Sequence, residues 1–101
     1  MIVHIVVWRL HDQAPNGKTK AENALELKRR FEAMNGLVPG MTRCELGVDI
    51  SRTGESADVA LFSEFESSAA LETYQTHPAH KEIVTFLKDV RSERRVVDYE
   101  R

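Results

Sequence analysis

The sequence has a single cysteine, Cys44, so no intrachain disulfide can form. That fits a reducing compartment, and a cytoplasmic location is the expectation. No histidine lies near Cys44 in sequence, so it is read as a small apolar residue in a strand. Long apolar runs are also missing: none exceeds about five residues, against the roughly 20 needed to cross a bilayer. The opening "MIVHIVVWRL" lacks a basic n-region and a small-residue cleavage site, and reads as a strand rather than a signal peptide. Charge of one sign is not in excess. Fourteen basic and sixteen acidic residues are mixed along the chain, with a net charge of -2 and no basic block. The electrostatic footprint of a nucleic-acid binder is therefore absent. There is no Cys pair or His-Glu motif, so neither a metal site nor a cofactor is expected. Repeats, low-complexity segments and linkers are missing too. At 101 residues, the expectation is one domain spanning 1–101.

What is present is a series of short periodic segments. "IVHIVVWRL" at 2–10 is β-branched and aromatic, which signals a strand. Thr19 and Glu22 have capping-box spacing and predict a helix start. Ala24, Leu27, Phe31 and Met34 follow at helical spacing, with Gly36 as C-cap. "MTRCELGVDI" predicts a second strand with Thr42, Cys44, Leu46, Val48 and Ile50 on one face. "ADVALFSEFE" predicts a third, with Val59, Leu61 and Phe65 opposite Ala60 and Phe62. Ser67 or Ser68 caps a helix that Pro78 ends or kinks. "PAHKEIVTFLKDV" continues as helix, and "ERRVVDYE" reads as a short strand. The order is β-α-β-β-α-β, an α+β ferredoxin-like pattern with an antiparallel four-stranded sheet.

Two helices cover one face of such a sheet, yet the first strand is apolar on both. Either the face of Ile2, Val6 and Trp8 or its alternate needs another partner. A second copy of the chain, stacked sheet to sheet, fits that need, and the expected partner is therefore self.

The segment "YQTHPAHKE" at 74–82 concentrates the chemistry. A histidine of near-neutral pKa can take a proton from carbon next to a carbonyl, and a tyrosine hydroxyl can stabilise the resulting enolate. His80 is the candidate base and Tyr74 the candidate donor. His4, inward on the first strand, and Trp8 are candidate ligand-contacting residues. His77 is carried with them, although it reads first as a polar cap ahead of Pro78. His77 and His80 stand three apart, but Pro78 disturbs the face they would share as metal ligands.

The segments "MIVHIVVWRL", "VPG", "DVALFSEFESSAALETYQTHPAHKE" and "RRVVDYE" together resemble the stress-responsive A/B barrel (Dabb) domain over nearly the whole chain. "ALETYQTHPAHKEIV" followed by "VVDYE" is the most specific part. The resemblance implies a dimeric α/β barrel with ferredoxin-like subunits. By residue match to a plant polyketide cyclase of that group, it implies catalytic roles for Tyr74 and His80 and a pocket role for His4. The stretch "SRTGESADV" departs from the cyclase in having no histidine. The function this implies is binding or transforming a small, partly apolar carbonyl compound. The alternatives are a non-catalytic stress-protective protein and a monooxygenase of the same barrel architecture.

Overall fold

The computed structural model describes residues 1–101. The elements run β1 (Ile2–Leu10), α1 (Lys20–Glu32), β2 (Met41–Val48), β3 (Val59–Phe65), α2 (Ser68–Thr76), α3 (Pro78–Val90) and β4 (Arg91–Glu100). All strand pairs are antiparallel, and the sheet order is β2-β3-β1-β4. This is the ferredoxin-like pattern, with its second helical unit split at Pro78. No helix is long and apolar enough to cross a membrane.

The capping box is formed. Glu22 N–H donates to the Thr19 hydroxyl at 3.3 Å, and Thr19 N–H donates back to the Glu22 carboxylate at 3.0 Å. Ala24, Leu27, Phe31 and Met34 are buried. The helix stops at an Ala33 cap rather than at Gly36. Its last turn tightens, with Met34 N–H bonded to Phe31 O and Asn35 N–H to Glu32 O, and Gly36 at φ +84 serves the turn that follows.

Alternation along β1 sends His4, Val6, Trp8 and Leu10 under the helices. The face without helix cover is therefore the alternate one, carrying the half-buried Ile5 and Val7, with Phe62 and Ala60 opposite them on β3, and Val3, which is fully buried. β2 ends at Val48, before Ile50. Val48 borders an open polar cleft, and Ile50 is 92% exposed. The apolar residues at 48 and 50 extend the alternation past the point where helix cover ends.

The last strand is ten residues long rather than short. Every residue from Ser92 onward is exposed, so little in its apolar pattern reports its length. Backbone pairing with β1, from Ile2↔Glu100 to Leu10↔Arg91, holds it in place.

Gly40 sits at φ +85 between α1 and β2, and a Cβ there would stand 2.7 Å from Ala70 Cβ. A left-handed backbone and an unyielding neighbour both oppose a side chain. Gly40→Ala is expected to lower stability by about 2–4 kcal/mol. Urea unfolding of the variant measures this, and a midpoint matching wild type would refute it.

Candidate functional site

The break between α2 and α3 organises the site. A continuous helix would send Ala79 N–H to the Gln75 carbonyl. Here Pro78 starts a new helix, and Ala79 N–H goes to His77 Nδ1 at 3.0 Å. The Gln75 carbonyl is left for His80, whose Nδ1 lies 3.1 Å away. A carbonyl only accepts, so His80 Nδ1 carries the proton and Nε2 carries the lone pair. The kink also swings His80 back over Tyr74, with ring centroids 4.4 Å apart at 54°.

Tyr74 projects from α2 into the core and is fully buried. It packs on Phe65 at 5.2 Å, and its hydroxyl has no hydrogen-bond partner. Burial pushes its pKa far above the ordinary tyrosine value, so it stays a hydroxyl donor. His4 lies edge-on to Tyr74 at 6.0 Å. It is 3% exposed, and its Nδ1 bonds Asp98, its direct cross-strand neighbour on β4. That carboxylate fixes the His4 tautomer and leaves Nε2 as its free nitrogen. Burial lowers the His80 pKa below the ordinary 6.5, so its Nε2 is unprotonated at neutral pH.

These groups line a cavity of about 250 Å³ between the sheet and the helices. Its apolar walls are Val6, Trp8, Phe31, Leu61, Val84 and Leu87, with Trp8 stacked on Phe31 at 5.5 Å. Arg91 and Arg94 complete the lining. The structure thus brings His4, Trp8, Tyr74 and His80 together. It does not bring His77 to them; that side chain caps α3. No group of three or more His, Cys, Asp or Glu side chains is placed to hold a metal ion. Cys44 is buried and does not line the cavity, with its thiol on Phe31 O and its pKa pushed up by burial to about 12.

Sequence reasoning missed Asp98 as the partner of His4, and it missed Arg91. Arg94, beside Glu93 and Arg95, reads from the sequence as solvated or ion-paired surface with a bias toward an anionic ligand; in the fold it is exposed and also lines the cavity. The pairing His4↔Asp98 and Trp8↔Arg94 follows from the β1–β4 register, which alternation alone does not reveal.

Comparison with known proteins gives the frame for these observations. A family model described as the stress responsive A/B barrel domain matches residues 2–101. A dimeric protein of unknown function and ferredoxin-like fold from Bacteroides fragilis superimposes with a TM-score of 0.86 at 30% identity, covering 99% of this chain and 95% of that one. A protein from Arabidopsis thaliana matches at 0.76 and 27% identity, covering 100% and 95%. An antibiotic biosynthesis monooxygenase matches at 0.75 but only 18% identity, covering 100% and 98%, which shows a shared fold. No curated protein matches the chain by sequence.

Proposed function

Since the chain belongs to the stress-responsive A/B barrel family, we propose that it works as a homodimer whose cavity binds a small, partly apolar carbonyl compound and removes a proton beside the carbonyl. His80 Nε2 is the base, the Tyr74 hydroxyl donates to the carbonyl oxygen, and His4 forms the wall behind them. Trp8 and Phe31 hold the apolar part of the ligand.

The observation that carries this reading is the Tyr74 hydroxyl. It is a buried donor without an acceptor, beside a cavity and in ring contact with His80. Leaving such a group unpaired costs about 1–3 kcal/mol. A carbonyl oxygen in the cavity supplies the missing acceptor, and enolate charge strengthens the bond. With its pKa raised by burial, the hydroxyl stabilises the enolate by hydrogen bonding while keeping its proton. Intramolecular closure of a polyketone requires this proton transfer and a wall that folds the chain.

Exchange of α-protons into D2O, followed by NMR on a panel of β-diketones, tests it. His80→Ala is expected to slow exchange at least 100-fold, and Tyr74→Phe at least 10-fold. The wild-type rate falls in acid as His80 Nε2 takes up a proton. Because the folded pKa is depressed, the midpoint of that limb lies below 6.5. Equal, background-level exchange in all three proteins would remove the enzymatic reading and leave the stress-protective one.

A further inference from the structure

Arg91 and Arg94 stand out among the nine arginines. Arg29 and Arg30 pair with Glu26, Arg43 with Glu45 and Glu64, Arg95 with Glu93, and Arg101 with Glu64. Arg9 donates to the Gly54 and Ser56 carbonyls. Arg52 makes no ion pair either, but it is exposed and lines a separate cleft that already holds Asp12, Asp49 and Asp58. The guanidinium groups of Arg91 and Arg94 make no ion pair, and both line the cavity.

Their placement depends on a local irregularity. Residues 91 and 94 differ in parity, so a regular strand would send them to opposite faces. The β1–β4 register shifts between Arg9 and Leu10, pairing Arg9 with Glu93 and Leu10 with Arg91. That bulge returns Arg91 to the helix side, where Arg94 already lies across from Trp8. Glu93 stays on the other face with Arg95. No acidic side chain lines the cavity, and the nearby Asp98 is tied to His4. The mouth therefore carries two unneutralised positive charges above an apolar pocket. The charge of Arg94 reaches the site: burial chiefly depresses the His80 pKa, and Arg94 pushes it the same way.

We propose that the ligand carries a carboxylate, held by Arg91 and Arg94 at the cavity mouth while its apolar body lies against Trp8 and Phe31. The inference rests on the reading of the cavity as a carbonyl-compound site and adds the charge of that compound. A volume of about 250 Å³ lies just under the usual range for drug-sized ligands, which points to a compact molecule with a single ring. Guanidinium suits a planar carboxylate through paired N–H donors, and a two-point grip at one end sets the depth of the carbonyl at the other.

Trp8 is the only tryptophan and lines the cavity, so its fluorescence reports occupancy. The probes are 4-acetylbenzoate, 4-acetylbenzamide and acetophenone, which share an enolisable methyl ketone and differ in the opposite end. Wild type is expected to bind the acid about ten-fold more tightly than the amide, with a preference that shrinks as salt is added. In Arg94→Gln and in the Arg91→Gln/Arg94→Gln double variant, the acid-to-amide ratio falls toward one. Arg94→Lys recovers part of it. Equal affinity for acid and amide in wild type overturns the proposal, as does a preference that survives the double variant, or no binding of any probe. Methyl-proton exchange on the same probes separates the two readings. Acid preference without exchange removes the chemistry and keeps the anion site, whereas exchange without acid preference does the reverse.

Discussion

A chain ending at Arg95 is expected not to fold. Residues 96–100 form the distal half of β4, and cutting after Arg95 removes the pairs from Ile2↔Glu100 to Val6↔Val96. β1 lies between β3 and β4 and is apolar on both faces, so the cut turns an inner strand into an open edge. Each lost backbone bond costs about 1 kcal/mol, and more where the freed group is buried. Asp98 leaves as well, stranding the buried His4 ring without its acceptor at a further cost of about 1–3 kcal/mol. The total is comparable with the whole stability of a domain this size, about 5–15 kcal/mol. The exposed edge would then template aggregation. Circular dichroism and gel filtration of the 1–95 chain measure the outcome, and unchanged melting would sink it. Full-length Asp98→Asn separates the two contributions, since it weakens the acceptor while keeping the strand.

The same strand marks the limit of what sequence pattern reveals. Elements that bury one face were legible because burial writes a period into the sequence. The 2–10 strand, the α1 stripe of Ala24, Leu27 and Phe31, and the Thr19–Glu22 cap all appear as expected. So does the helix break at Pro78, because proline acts through its own backbone. β4 was read short because an edge strand held by backbone bonds needs no apolar alternation. Val48 and Ile50 misled in the opposite sense, since alternation continued where no helix covered it. Within the site, Tyr74 and His80 were legible as residue types in one segment, and the kink explains why residues six apart meet. Asp98 and Arg94 depend on the β1–β4 register, and Arg91 depends further on a bulge. Those are tertiary facts that no local pattern encodes.

The second large effect concerns the open face of the sheet. Ile5 and Val7 of β1 lie between Phe62 and Ala60 of β3 on one side and Val97 of β4 on the other, with Tyr99 beyond. Val97 is 52% exposed and Tyr99 44%. Charged residues rim this apolar strip in both signs: Arg43 lies 4.9 Å over the Phe62 ring, Glu64 pairs with Arg43 and Arg101, and Glu93 with Arg95. An apolar centre with a mixed rim is self-complementary about a two-fold axis, because each cation can meet an anion of the second copy. The Bacteroides fragilis protein, 30% identical, is dimeric. Placing a carboxylate at the centre of the strip desolvates two like charges across the axis, which costs several kcal/mol per dimer. Val97→Glu and Phe62→Glu are therefore each expected to raise the dimer dissociation constant by at least 1,000-fold. Light scattering at micromolar concentration should give the monomer mass for both and the dimer mass for wild type. Leu25→Glu serves as the control, since Leu25 is exposed on α1 away from this face. A wild-type monomer, or dimers that survive both substitutions, would place the interface elsewhere and leave the strip without a partner. The strip and the cavity lie on opposite faces of the sheet, so an obligate coupling between them is not required. Monomeric variants that retain the probe affinity of wild type would locate the ligand site wholly within one subunit.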